Sequence, residues 1–379
     1  MQNKELHIIS FDVPYPPNYG GAFDVFHRIK ALHNDGYKIT LHCFDYGRGK
    51  AAELNEITNK VIYYQRKNKL LSAVKKTPLI VSSRENDKLL TNLLKNSYPI
   101  LFEGQHSTAF LNHALLRNRT KLVRIHNIEH EYYQGLFSSE NNPFRKQYFK
   151  NASRRLKKHE KELSAAQHLL CITEKDTQYY HEKFGTAFYL PVALPFNFSK
   201  KSTKIEDYVL FHGNLSVPEN ESAVLWILEK LASKTKSKLI IAGQSPSNLL
   251  IKRIESYDNV SLYSDVSEQK MAQLKAKAKI HLLITFQSTG IKLKLLNSLC
   301  ERGTVICNST MVEGTNLSKF TVICNQPEAF LNAIENEELK PVNEKEIEER
   351  HNFLKQNYSY DLHVDVINKI LRLSSGKLP

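Results

Sequence analysis

Several short stretches of this chain carry residues whose types and spacing suit chemistry on a polar or anionic ligand. His126 and Asn127 follow the strand-like run Lys-Leu-Val-Arg-Ile. An imidazole and a carboxamide then sit at a strand's carboxyl end, well placed to hydrogen-bond a polar ligand. The same segment reads His126-x-x-Glu129-His130, a spacing that some zinc peptidases use. That chemistry needs both histidines one turn apart on one helix, and His126 ends a strand. The plain alternative for His126 is a structural hydrogen-bonder. Leu101-Phe-Glu103-Gly104-Gln-His106 likewise delivers a carboxylate and an imidazole beyond a hydrophobic strand. There they contact an acceptor hydroxyl or cap the segment that follows.

Glycines mark two further places. Gly20-Gly21 precedes a stretch of helical spacing (Val25, Ile29, Leu32). Its backbone N–H groups can approach an anion at the positive end of the helix dipole, although a plain turn uses the same residues. Gly213 ends a strand and permits close approach of a phosphate, with Asn214 beside it and Asn220 as a candidate helix cap. Near the C-terminus, Ser288 and Thr289 suit the N-cap of a helix whose apolar face is Ile291, Leu295, Leu296, Leu299 and Cys300. Lys294, Asn297 and Glu301 fall on its other side. A lysine early in a helix opposes the dipole, so an anion there is the natural compensation, and a solvated basic face is the alternative. No G-x-G-x-x-G and no Walker lysine occurs.

The elements that must position these residues are short apolar runs separated by stretches of helical spacing. The runs are Leu6–Phe11, Ile39–Phe44, Val61–Tyr64, Ile100–Glu103, Leu122–His126, His168–Thr173 and Ala187–Leu190, then Tyr208–Gly213, Lys238–Gly243, Val260–Tyr263, Ile280–Ile284, Thr304–Cys307 and Thr321–Cys324. Strands alternating with helices predict an α/β fold of two Rossmann-like, doubly wound parallel sheets. The expected organisation is an N-terminal domain over residues 1–195, a linker at 196–206, a second domain over 207–342 and a C-terminal helical segment at 343–379. The 379 residues suffice for two cores. Five cysteines form no CxxC pair and read as reduced core residues, so neither a zinc site nor a disulfide framework is expected. No apolar run reaches bilayer length and the start lacks a signal peptide's apolar core, which predicts a cytoplasmic protein.

With 53 Lys plus Arg against 39 Asp plus Glu, the net charge is +14. That excess admits nucleic acid, an anionic membrane surface or a phosphorylated substrate. No nucleic-acid-binding motif is present, so no nucleic-acid partner is expected. Part of the charge lies in Tyr64–Lys76 and part in Phe144–Lys158, which read as solvated helix faces or as a surface for anionic lipid.

In order and spacing these pieces resemble the GT-B-fold glycosyltransferases, specifically the retaining family 4, over nearly the whole chain. The resemblance rests on Pro14-x-Pro-Pro-x-x-Gly20-Gly21 with Arg28, on Glu103-Gly104-x-His106, and on His126-Asn127-x-Glu129 leading to Cys171-Ile-Thr173-x-x-Asp176. It continues through Phe211-x-Gly213 with Pro218-x-Asn220, and Gly290-Ile-x-x-Lys294-Leu-Leu-Asn297 with Gly303 and Glu313-Gly314. It implies two domains facing across a cleft and transfer of a hexose from a nucleotide sugar to a lipid-linked or polysaccharide acceptor. His126 and Lys294 would be catalytic. Gly20, Gly21, Gly213, Asn214, Gly290, Lys292, Lys294, Asn297 and Glu313 would hold the donor, and Glu103, His106, Asn127 and Glu129 the acceptor. No cofactor and no obligatory metal is implied. Where the family carries two glutamates with seven residues between them, this chain has Thr289 and Asn297. Glu301-Arg302-Gly303 is one residue longer than the commonest spacing, and Asn214 and Glu219 stand where basic phosphate contacts often occur. These departures keep open a degenerate member that binds a nucleotide sugar or glycan without turnover.

Overall fold

The computed structural model describes residues 4–67, 77–140, 142–195, 204–287, 293–336 and 342–374. Each apolar run read above as a strand forms one. In chain order they are β1 (Glu5–Ser10), β2 (Lys38–Asp45), β3 (Lys60–Gln65), β4 (Ile100–Glu103), β5 (Lys121–Ile125), β6 (His168–Cys171), β7 (Ala187–Tyr189), β8 (Glu206–Asn214), β9 (Leu239–Gln244), β10 (Val260–Ser264), β11 (Ala278–Leu283), β12 (Thr304–Cys307) and β13 (Val322–Ile323). They assemble into a seven-stranded sheet ordered β3-β2-β1-β4-β5-β6-β7 and a six-stranded sheet ordered β10-β9-β8-β11-β12-β13. All pairings are parallel; Ile8 of β1, for example, is in register with Leu41 on one side and Leu101 on the other.

Parallel strands of this kind are covered on both faces, which is why their sequences read as nearly unbroken apolar runs. Neighbours along a strand enter different cores. Ile8, Leu41, Leu101 and Leu122 join one hydrophobic cluster, whereas Ile9, Phe102 and Val123 join another. The second sheet does the same, with Val209 and Phe211 on one side and Tyr208 and Leu210 on the other.

The chain divides into two compact units. The first comprises Met1–Phe137, Asn142–Phe196 and Gln356–Pro379, and the second Ser138–Asn141 and Asn197–Lys355. Of the linker expected at 196–206, residues 196–203 lie outside the described residues. The C-terminal helical segment is shared between the units. Helix Glu344–Tyr358 lies almost wholly in the second unit, while helix Tyr360–Ser374 returns to the first. There Val364, Ile367, Ile370 and Leu371 enter the cluster that holds Ile29 and Leu32 of helix Gly20–Asn34. Tyr360 Oη lies 2.6 Å from His27 Nδ1, and Tyr37 Oη donates to Asn368 Oδ1 at 2.6 Å.

Each sheet reverses its strand order once, between β1 and β4 and between β8 and β11. In open α/β sheets the crevice beyond the carboxyl ends of the strands at that reversal is where ligands bind.

Candidate functional site

In the first unit the reversal point is built around a buried lattice of ions. Asp24 and Arg28 lie one turn apart on helix Gly20–Asn34, and Arg28 donates to Asp24 through Nη2. Arg28 Nε donates to Glu103 Oε1 at 2.7 Å, at the end of β4. Arg124, from β5, donates to both oxygens of Asp24, from Nε at 2.9 Å and Nη2 at 3.0 Å, and spends its remaining donors on the carbonyls of Leu170, Leu190 and Pro191. These four side chains are at most 1% exposed. Buried ions survive only when paired and hydrogen-bonded, as these are. Burial alone raises the Asp24 pKa, but Arg124, Arg28 and then His126 outweigh it and hold the carboxyl far below the usual range.

His126 stands at the rim of this lattice, its side chain 10% exposed. Its Nε2 is 3.3 Å from Glu103 Oε2 and 3.4 Å from Asp24 Oδ2. Asp24 is ionised and accepts only, and Glu103 Oε1 already accepts from Arg28, so the proton of a neutral imidazole belongs on Nε2. Nδ1 then carries a lone pair, and it has no hydrogen bond among the described residues. Donor atoms of Asp24, Glu103 and His126 lie within 4.8 Å of one another, close enough to share a cation. Two guanidinium groups already neutralise these carboxylates, so the lattice does not suit a metal ion.

The other N-terminal residues gather around Phe11. Its ring packs 5.3 Å from the His106 ring and edge-on to His126 at 5.4 Å. A Cβ on Gly21 would sit 2.5 Å from Phe11 Cζ, and Gly104, at φ +70°, occupies the left-handed region beside the same ring. Gly21 thus lets the tip of the ring approach the backbone, whereas Gly104 meets the demand of its positive φ. Gly20 opens the helix after Tyr19, which supplies no side-chain cap; the first helical bond is Phe23 N–H to Tyr19 O at 2.9 Å. Among the described residues the amides of the first turn, those of Gly20 and Gly21 included, have no side-chain acceptor.

Glu129 is buried and lies 3.7 Å from His106 Nδ1, beyond hydrogen-bond length. Burial raises the Glu129 pKa; an Asn127 hydrogen bond opposes this, Asp176 adds to it, and the carboxyl ends at about 8. It is protonated at neutral pH. Burial and the charge of Arg84 push His106 well below the ordinary histidine value, so it is neutral. His126 and His130 do not share a helical face: His126 follows β5, and His130, on helix Glu129–Ser139, contacts Glu160 at 2.9 Å. The zinc-peptidase spacing is therefore a coincidence of sequence.

In the second unit, Lys294 joins the two elements that flank the reversal point. It lies on helix Leu293–Leu299, and its Nζ donates to Asn220 Oδ1 at 3.1 Å and to the carbonyl of Ile284, just past β11, at 3.4 Å. The ammonium also sits 5.1 Å from the centre of the Phe211 ring. Asn220 Nδ2 in turn donates to the Asn214 carbonyl at 2.9 Å, at the end of β8. Helix Pro218–Ile227 begins after Val217 without a side-chain cap, so Asn220 bridges strand and lysine in place of the capping role the sequence suggests. A Cβ on Gly213 would lie 3.1 Å from the Asn220 amide. Glu219 is engaged by the Thr285 hydroxyl. Asn297 is half-buried one turn beyond Lys294, and Glu313 is exposed after helix Ser309–Val312. Gly290 and Lys292, with Ser288 and Thr289, lie outside the described residues.

Sequence reasoning placed Glu103 and His126 at strand ends but left Asp24, Arg28 and Arg124 out of the candidate site. Two signals were available. Asp24 and Arg28 have i,i+4 spacing, and Arg124 is a charge inside the apolar run of a central strand, where it must find a partner.

No family model matches the chain. Over 377 residues it is 28% identical to an uncharacterized 44.6 kDa protein in the cps region of Klebsiella pneumoniae, covering 93% of this chain and 96% of that one. Among solved structures it is similar to sucrose-phosphate synthase from Thermosynechococcus elongatus, with TM-score 0.73, 13% identity, and coverage of 98% of this chain and 100% of that one. It is also similar to HepE from Anabaena in complex with UDP and glucose, with TM-score 0.67, 10% identity, and coverage of 97% and 99%. The fold of the chain is GT-B.

Proposed function

We propose that this GT-B chain is a glycosyltransferase of the family 4 type, moving a hexose from a nucleotide sugar to a lipid-linked or polysaccharide acceptor with retention of configuration. The observation that carries the reading is His126, fixed through Nε2 by Glu103 and Asp24, with Nδ1 unbonded among the described residues, at the reversal point of the first sheet. The fold shared with HepE, which is bound to UDP and glucose, supports a nucleotide-sugar donor.

In this reading the bond from the anomeric carbon to the donor phosphate breaks, and the electron pair leaves with the nucleoside diphosphate. The acceptor hydroxyl attacks from the same face, and the departing phosphate takes its proton. Lys294 stabilises the charge that develops on the diphosphate, and the first-turn amides at Gly20 and Gly21 are the donor-binding anion contacts that the first unit offers. Gly213 and Asn214 shape the floor beside Lys294, Asn297 meets the ribose hydroxyls, and His126 positions the reacting sugar. Glu103 acts through His126, while His106, Asn127 and Glu129 form the acceptor wall. No metal is required, because lysine and backbone donors supply the positive charge.

The proposed setting is the cytoplasmic face of a membrane, in the synthesis of a polysaccharide. Helix Pro143–His159 supports it, with lysines and arginines and no acidic residue, and with Phe144 86% exposed near its start. No helix among the described residues is long and apolar enough to cross a membrane. Co-sedimentation with liposomes should rise with anionic lipid content, and binding independent of it would refute the docking surface.

The test of activity pairs thermal stabilisation across GDP-, UDP- and ADP-sugars with an assay for released nucleoside diphosphate. Stabilisation by one donor class with release upon adding acceptor is the expected result. Stabilisation without release across a broad acceptor panel would point to the degenerate, binding-only member. No stabilisation by any donor would overturn the reading.

A further inference from the structure

Next to His106 the first unit buries a positive charge that the described residues leave largely unanswered. Arg84 is 5% exposed. Its Nε donates to the Phe11 carbonyl at 2.8 Å and its Nη1 to the Ile80 carbonyl. Nη2 has no hydrogen bond, and no carboxylate forms an ion pair with this guanidinium, among the described residues. The carboxylate that acts on it from a distance is Asp12, whose oxygens already accept from the Val13 amide at 2.8 Å and the Tyr19 hydroxyl at 3.0 Å.

A second guanidinium makes the imbalance worse. Arg66 donates to the hydroxyl of Ser83, the residue before Arg84, from Nε at 3.3 Å and Nη2 at 3.0 Å, and stacks 4.2 Å from the Tyr46 ring centre. Its charge depresses the pKa of Arg84, which burial has already lowered, to about 9. A buried guanidinium is thus held beside a half-buried one of the same sign, a costly arrangement to keep without a counter-ion.

The neighbours do not supply that counter-ion. Glu129 feels the Arg84 charge, but burial outweighs it and holds the carboxyl up at about 8, and His106 is neutral. His106 Nδ1 is a buried polar atom without a hydrogen-bond partner among the described residues. Phe11 connects the groups: its carbonyl holds Arg84, and its ring lies against both His106 and His126. Contrast the lattice one strand away, where every arginine has a carboxylate.

We propose that Arg84, backed by Arg66 and flanked by His106, is an oxyanion subsite that selects an acceptor bearing a carboxylate or a phosphate. A planar guanidinium with a free N–H edge binds either group by charge-assisted hydrogen bonds. The acceptor identity rests on the glycosyltransferase reading, whereas the anion site itself does not.

The test uses the full chain and titrates three probes calorimetrically: glucuronate, glycerol phosphate and neutral glucose, each with and without UDP-glucose. The wild-type protein should bind at least one anionic probe more tightly than glucose, with an affinity that falls as salt rises. Whether glucuronate or glycerol phosphate wins tells a uronate from a phosphorylated acceptor. Arg84→Gln should weaken the anion at least about tenfold while leaving nucleotide-sugar affinity unchanged. Because Arg84 also bonds two backbone carbonyls, Arg66→Gln serves as the second variant; it should weaken the same probe several-fold in a protein of wild-type melting temperature. Glucose bound as well as both anions, or anion affinity unmoved in both variants, would overturn the subsite. Arg84-dependent anion binding in a protein that neither binds nor turns over any nucleotide sugar would keep the subsite and reject the glycosyltransferase.

Discussion

The Nε2 atom of His126 lies 3.3 Å from Oε2 of Glu103, whose other oxygen accepts from Arg28. Together with Asp24, this carboxylate selects the tautomer of a neutral ring that carries its proton on the inner nitrogen and a lone pair on the outer.

His126→Ala should lower kcat by about 100-fold or more with the fold intact, as removal of a positioned imidazole does. Glu103→Gln keeps the shape but lets the amide offer N–H groups to His126, and should cost roughly 10–100-fold in kcat with little change in donor KM. Steady-state release of nucleoside diphosphate measures both. Wild-type turnover in both variants would remove His126 from the site.

Lys294→Ala removes the ammonium that links Asn220 to the Ile284 carbonyl. Loss of a charge-assisted hydrogen bond of about 1.5–3 kcal/mol predicts a donor Kd weaker by roughly 10–100-fold. Calorimetry at low and high salt checks it, and the wild-type protein should show the steeper salt dependence.

Glu129 gives a pH signature. Its carboxyl titrates near 8 in the folded protein against an ordinary value of 4.5. Between those two values the folded state keeps a proton that the unfolded chain has released, so stability falls as pH rises through this window, by up to about 1.4 kcal/mol per pH unit. Glu129→Gln carries no such proton. Urea unfolding at pH 5 and pH 8 should show a loss in the wild type that is absent or much reduced in the variant.

Asp24→Asn tests the ion lattice. Arg28 and Arg124 would keep their positions and lose their shared anion, and breaking a buried pair in this way costs about 3–5 kcal/mol. Chemical denaturation should show that loss. A variant as stable as wild type would mean that the lattice relaxes without penalty.

The strands were legible because burial on both faces demands unbroken apolar runs, a local property of the chain. Much of the candidate site was legible too, since in this topology chemistry collects at strand ends, where Glu103, His126 and Gly213 are found. Partners distant in sequence were not. Arg28 meets Glu103 across 75 positions, and Arg124 meets Asp24 across 100. Gly243 shows the same limit. In sequence it merely ends a strand, yet a Cβ there would fall 2.0 Å from the Gly213 carbonyl on the neighbouring strand. The glycine at 243 is thus demanded by a close approach of two backbones. Asn220 was read as a cap because its position near a helix start suggests one, whereas its partners lie on another strand and another helix.

The return of helix Tyr360–Ser374 to the first unit has a consequence during synthesis. His363 lies 3.4 Å from Arg28, and Ile367 and Ile370 share a cluster with Ile29 and Leu32. A ribosome releases residues 1–195 long before it reaches position 360, and throughout that interval this cluster lacks Val364, Ile367, Ile370 and Leu371. The amino-terminal half of the chain must therefore wait for the carboxyl-terminal end before this core is complete, and an amino-terminal fragment expressed alone would carry an open apolar seam.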